Sequence, residues 1–118
     1  MSDIAYKLVD RDEWELARLD GAYAGSAVDL KDGYIHMSSG AQLAETARRH
    51  YAGRGDLLLV AVDLTVLGES LKWEASRGGD LFPHLFAPLP VSAAREERSL
   101  SVDADGVMHF DDGAIGWA

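Results

Sequence analysis

Apolar and polar positions along the chain switch between two periods, and the switches predict alternating strands and helices. Ile4 to Val9 reads as a first strand. Asp10 and Glu13 then stand at capping-box spacing and predict a short helix through Trp14, Ala17 and Leu19, ended by Asp20-Gly21. Ala22 to Lys31 is small and polar and reads as a loop, with at most a short strand at Val28 to Leu30. The Asp32-Gly33 turn opens a strand in which Ile35 and Met37 face one way and Tyr34, His36 and Ser38 the other. Ser39 and Gln42 form a second capping pair, for a helix ending near Tyr51 and Gly53. Leu43, Ala44, Ala47 and Tyr51 share one face of that helix, with Gln42, Glu45 and Arg49 opposite.

Leu57 to Val62 is almost wholly apolar, the pattern of a central strand covered on both faces. Leu71 to Glu74 reads as another strand, with Leu71 and Trp73 inward and Lys72 and Glu74 opposite. Ala75 to Pro90 shows no period and holds all three prolines and the pair Gly78-Gly79. Leu81, Phe82, Leu85, Phe86 and Leu89 make it too apolar to be solvated, so it is expected as a loop that docks on the body or lines a cleft. The glycine pair offers a hinge by which that loop would act as a lid. Asp103-Ala104-Asp105-Gly106 predicts a hairpin between strands at Ala94 to Val102 and Val107 to Phe110. Trp14 and Tyr51 are expected in the core. The sum is an α+β fold.

Length and charge narrow the partners. At 118 residues the chain is expected to form a single domain, residues 1–118. It has no cysteine, which removes disulfides, thiolate nucleophiles and cysteine-based zinc sites. Met1-Ser2-Asp3-Ile4 lacks the basic and apolar regions of a secretory leader, and no apolar run approaches a membrane span. A cytoplasmic location is the expectation. The net charge is −9, with 20 acids against 11 bases, so broad nucleic-acid binding is not expected; the small-molecule ligand that is expected rests instead on the strand face of Tyr34, His36 and Ser38.

No G-x-S-x-G nucleophile turn and no phosphate-cradling glycine loop occurs in the chain. His36, His84 and His109 have no H-x-H or H-E-x-x-H spacing, and no metal is assigned. What remains is a composite site from distant residues, with His36, Glu74 and His84 as its best ionisable members. Each has a structural reading beside the functional one. His36 would bond a backbone carbonyl, Glu74 would be a solvated charge, and His84 would brace an apolar loop. Arg48 is a candidate phosphate contact, whereas Arg49 is expected to pair with Glu45 one turn earlier.

DGYIHMSSGAQ (Asp32 to Gln42), LKWE (Leu71 to Glu74) and FPHLFAPLP (Phe82 to Pro90) occur in that order. They resemble the family known as domain of unknown function 952. The resemblance spans nearly the whole chain and implies an ADP-ribosyltransferase-like fold, two small mixed or antiparallel sheets packed with flanking helices around a cleft. By the same analogy His36-x-Ser38 matches the strand motif that hydrogen-bonds a ribose. Glu74 would then be the later glutamate that steadies a ribosyl cation. Tyr34, Trp73 and Phe82 are the candidates to stack on a nicotinamide. The resemblance thus implies NAD or a related nucleotide as cofactor or ligand. It implies His36 and Glu74 as catalytic residues, and Tyr34, Ser38, Arg48, Trp73 and His84 as ligand contacts. A non-catalytic binding or interaction module on the same fold is the alternative. A hydrolase or isomerase using a His/Glu pair as acid and base is the third reading.

Overall fold

The computed structural model describes residues 3–117; Met1 and Ser2, on which the reading of the leader partly rests, lie outside them. In chain order the elements are β1 (Ile4–Asp10), α1 (Arg11–Asp20), β2 (Ala22–Tyr23), α2 (Ala27–Asp32), β3 (Ile35–His36) and α3 (Leu43–His50). They are followed by β4 (Leu57–Asp63), β5 (Leu71–Ala75), β6 (Leu81–Leu85), β7 (Leu89–Pro90), β8 (Ala94–Val102) and β9 (Met108–Phe110). All strand pairs are antiparallel. They form one large sheet in the order β1-β4-β8-β9, a smaller one in the order β3-β6-β5, and the pair β2-β7.

The alternation along β4 explains the layering. Leu58, Val60 and Val62 on one face join Ala5 and Val9 of β1. Together they meet Ile35, Met37, Leu85 and Leu89 from the small sheets and Trp14 and Ala17 from α1. Leu57 and Leu59 on the other face join Leu8, Leu100, Met108 and Phe110 under Leu43 and Ala47 of α3. The large sheet is therefore covered on both faces, as the unbroken apolar run at its centre requires. The segment after β3 stitches the sheets together. Met37 N–H donates to the Pro83 carbonyl at 3.1 Å, and Tyr6 and Ser38 exchange backbone bonds of 2.8 and 2.9 Å across the free edge of β1. Trp117 packs edge-on against Tyr6, centroids 5.0 Å apart, and its indole N–H donates to the Gly40 carbonyl. No helix among the described residues is long and apolar enough to cross a membrane.

Several expectations change. α1 forms where the pattern places it, but Asp10 makes no side-chain cap; its carboxylate accepts instead from Arg54 at 2.5 Å. Leu19 lies in that helix as expected and is 85% exposed, outside the buried stripe of Trp14 and Ala17. α3 begins at Leu43, after a turn closed by Gln42, whose side chain reaches back to the Ser39 N–H. The Ala22–Lys31 segment is not loop: it carries β2 and the six-residue α2. α2 opens on a complete capping box, in which Ser26 Oγ accepts from the Asp29 N–H and Asp29 accepts from the Ser26 N–H. Ser26→Ala should cost about 1 kcal/mol of stability, read as a shift in the urea midpoint at unchanged slope.

The Ala75–Pro90 region changes most. It contains β6, hydrogen-bonded to β3 on one side and β5 on the other, and the short β7. Gly78-Gly79 sit in the turn of the β5–β6 hairpin, closed by a bond from the Ser76 N–H to the Asp80 carbonyl. Pro83 hides this strand in the sequence, since proline removes a ladder donor. A strand paired on both edges is a fixed wall, not a lid.

Candidate functional site

The pleat of the small sheet decides which candidate residues meet. His36 and His84 are directly opposite in the β3–β6 ladder, and Lys72 is opposite His84 in β5. Glu74 lies two residues further along that same face. Trp73 and Pro83 alternate to the other face, where Trp73 packs on the core beside Leu71. Tyr34 lies over both imidazoles. Its ring stacks on His84 with centroids 4.2 Å apart and tilts against His36 at 4.6 Å. Glu74 Oε1 stands 2.8 Å from His84 Nδ1. His36, Glu74, His84 and Tyr34 thus come together.

Beside them, a cleft of about 690 Å³ runs along the free edge of β1, bounded by α2, α3 and the small sheet. His36, Ser38, His84 and Phe82 line it. Ser38 is buried and its hydroxyl pairs with Thr46 of α3 at 2.8 Å. Glu74 is not among the lining residues; it stands behind His84. Trp73 and Arg48 are also outside. Arg48 bonds Glu45 and lies against Gly106, on the side of α3 away from the cleft, where a separate shallow groove runs. Arg49, also bonded to Glu45 at 2.9 Å, is the one of the pair that lines the cleft.

The chemical centre of the cleft is a residue that the sequence reading passed over. Asp29, on α2, is 2% exposed, and so nearly is Lys7 of β1 at 5%. Lys7 occupies an inward position between Ala5 and Val9, where strand alternation puts an apolar side chain, and a buried ammonium needs a buried partner. Its Nζ lies 2.9 Å from Asp29 Oδ2. Asp29 also accepts from the Ser26 N–H at 2.9 Å and the His36 N–H at 3.1 Å, and its Oδ1 is 2.6 Å from His36 Nδ1. Gly25 makes this packing possible, since a Cβ there would stand 2.8 Å from the Asp29 Cβ, at a φ of +117°. The far nitrogen of His36, Nε2, is 3.0 Å from Asp32 Oδ2 at the end of α2. The result is a chain Lys7–Asp29–His36–Asp32 running from the core to the cleft mouth.

Charge follows from these contacts. Burial alone would raise the Asp29 carboxyl, but the His36 ring bond, the Lys7 charge and the two backbone donors outweigh it and hold it well below the usual carboxylate range. Burial pulls Lys7 down, with Asp29 opposing. At the other end of the cleft Glu13 is raised, first by burial and then by the neighbouring Asp10 carboxylate. Tyr23 donates to Glu13 at 3.5 Å. Tyr51 is pushed up to about 12, first by burial and then by the Asp29 charge, and its hydroxyl donates to the Leu8 carbonyl. The cleft therefore has a polar, hydrogen-bonding floor beside a tyrosine-lined end. Ser26-x-x-Asp29 and the inward lysine are the two sequence signals that point to its centre.

Set against known proteins, residues 8–97 match the family model described as protein of unknown function (DUF952). No curated protein matches. Three solved chains, all of protein CC0527 from Caulobacter crescentus, are similar. Its crystal structure is 52% identical with a TM-score of 0.85, covering 89% of this chain and 92% of that one. A double mutant of it gives 50% and 0.85 over the same shares. Its solution NMR structure gives 51% and 0.77, covering 89% and 90%.

Proposed function

This chain belongs to the DUF952 family of proteins of unknown function, and we propose that its cleft binds a ribosyl or nucleotide-type small molecule. The observation that carries the reading is the anchored histidine. A buried carboxylate fixes His36 Nδ1 at 2.6 Å, so the ring is held rigid while its side chain stays 34% exposed beside a 690 Å³ cleft. Holding an imidazole this way costs a buried ion pair, which a purely structural histidine does not need. Rigid donors suit a ligand rich in hydroxyls, and Tyr23 and Tyr51 line the cleft where a ring would lie, while Tyr34 stacks on His84 and His36 outside it. His36-x-Ser38 on its strand keeps the resemblance to the ribose-binding motif of ADP-ribosyltransferases. Glu74 departs from it, because its carboxylate is turned to His84 and not to the cleft. That departure favours ligand binding over NAD-dependent ribosyl transfer through Glu74.

Thermal shift and calorimetry with ADP-ribose, NAD and nucleotides test the reading. A ligand at 100 times its dissociation constant should add about 2.7 kcal/mol to the stability. His36→Ala should then weaken binding by about 1–3 kcal/mol while the fold survives, since Ile35 and Met37 carry the core face. If none of these ligands shifts the transition, the reading fails.

A further inference from the structure

The cleft wall has negative charge to spare and no positive charge to spare. Its lysine and arginines are each already held by a carboxylate: Lys7 by Asp29 at 2.9 Å, Arg54 by Asp10 at 2.5 Å, and Arg49 by Glu45 at 2.9 Å. Glu13 is different. It lines the cleft beside Asp10, makes no ion pair among the described residues, and is reached by the Tyr23 hydroxyl only at 3.5 Å. Burial and the neighbouring Asp10 carboxylate already raise it, so a cation placed there relieves a repulsion and breaks no existing pair. The same end of the cleft shows what it holds well. The Arg54 guanidinium sits on Asp10 and over the Tyr51 ring, 5.1 Å from its centroid. A flat cation between a carboxylate and a tyrosine face is thus already part of the structure.

We infer that the tyrosine-lined end of the cleft selects a riboside whose base carries a fixed positive charge, as an N-alkylated purine does. This rests on the ribosyl reading of the cleft and narrows it to one ligand chemistry. A charged heterocycle shares the two features by which the Arg54 guanidinium is held: it is planar, and its charge is spread over the plane. It can therefore stack on a tyrosine and meet a carboxylate with its edge. Glu13 supplies the charge, and Tyr23 and Tyr51 supply the faces. His36, fixed by Asp29 elsewhere on the same wall, is left for the sugar hydroxyls. A neutral base gains only the stacking. A 5′-phosphate gains nothing, since it meets the Asp10, Glu13 and Asp32 carboxylates while the wall's lysine and arginines are engaged. Arg54 is then an internal competitor, because it occupies the Asp10 carboxylate that an incoming cation would also use.

Two isomeric ribosides isolate the charge. 1-Methyladenosine is a cation at neutral pH, whereas N6-methyladenosine has the same atoms and the same ribose and is neutral. Calorimetry with the intact protein at neutral pH and low salt should show the cation bound on the order of tenfold more tightly. Added salt should shrink that preference. Glu13→Gln, which keeps the shape of an exposed side chain, should remove most of it while leaving the affinity for N6-methyladenosine unchanged. Arg54→Ala should tighten binding of 1-methyladenosine, the reverse of what loss of a merely structural ion pair would do. The 5′-monophosphate of 1-methyladenosine should bind no more tightly than the riboside. Equal affinity for the two isomers, a preference that survives Glu13→Gln, weaker binding of the cation by Arg54→Ala, or tighter binding of the monophosphate each overturns the inference. If the isomers bind equally, the ribosyl reading stands and only the charge selection falls. If neither binds, the inference falls, and the thermal shift with ADP-ribose and NAD decides the ribosyl reading by itself.

Discussion

Asp29→Ala should cost the fold about 3–5 kcal/mol, enough to unfold a domain of ordinary stability, although Asp29 is one polar residue on a six-residue helix. Three losses coincide. The Lys7 ammonium, 5% exposed, keeps its charge with no partner. The Ser26 N–H at the start of α2 loses its acceptor, and the His36 N–H and Nδ1 lose theirs. Removing Lys7 instead should be milder. In Lys7→Met the carboxylate retains His36 and two backbone donors, and a methionine fits an apolar strand position. The double variant Lys7→Met/Asp29→Ala should therefore be more stable than Asp29→Ala alone. Urea denaturation of the four proteins gives the coupling. A double variant as unstable as Asp29→Ala would mean that the unpaired ammonium is not the cause.

The same residue sets the acid limb of stability. Asp29 has a folded-state pKa below its unfolded value, so its contribution is present above the unfolded value near 4 and is lost as pH falls toward the folded one. The parent should lose stability steadily below about pH 4, and Asp29→Asn should flatten that limb. Equal acid slopes in the two proteins would show that other carboxylates govern it.

How far the site was legible turns on a few residues. The strand through His36 and the side to which its imidazole points follow from alternation, a local rule that needs no tertiary knowledge, whereas its meeting with His84 and Glu74 depends on the β3–β6–β5 pairing. The central strand at Leu57–Val62 and the hairpin at Asp103–Gly106 are readable for the same reason: continuous burial and turn chemistry are written in consecutive residues. α2 is not readable by period, because six residues hold less than two turns and Val28 and Leu30 point to solvent, 60% and 65% exposed. Only the Ser26-x-x-Asp29 spacing marks it, as the capping box that opens the helix. β6 is masked by Pro83, whose ring argues against a central strand although its carbonyl still serves Met37. Arg48 and Arg49 are adjacent in sequence, so which one reaches the cleft depends on the packing of α3, which no local pattern states. Trp73 could have been set aside from the sequence, since alternation with Glu74 already sends it to the core.

Gly106→Ala should cost about 2–5 kcal/mol, the second large effect, at the turn that packs against Arg48 of α3. Two penalties add. Gly106 has φ of +87°, and a Cβ in that region costs roughly 1–2 kcal/mol. The added Cβ would also stand 2.6 Å from the Arg48 Cα, with the Arg48 Cβ and Cγ at 2.9 and 2.7 Å. Because a backbone atom is among them, a side-chain rotation does not relieve the clash, and overpacking of this kind adds about 1–3 kcal/mol. Gly113, with φ of +98° and nothing within 4 Å of its Cβ, isolates the backbone part alone. Gly113→Ala should therefore fall near 1–2 kcal/mol, and the difference between the two measures the close approach of the β8–β9 turn to α3. Since α3 also carries Thr46 and Arg49 on the cleft side, Gly106→Ala should shift that wall and weaken whatever ligand the cleft takes. Chemical denaturation gives the first quantity and calorimetry the second. Equal stability losses for the two glycines would show that α3 and the turn adjust freely, and the cleft wall would then be softer than its packing implies.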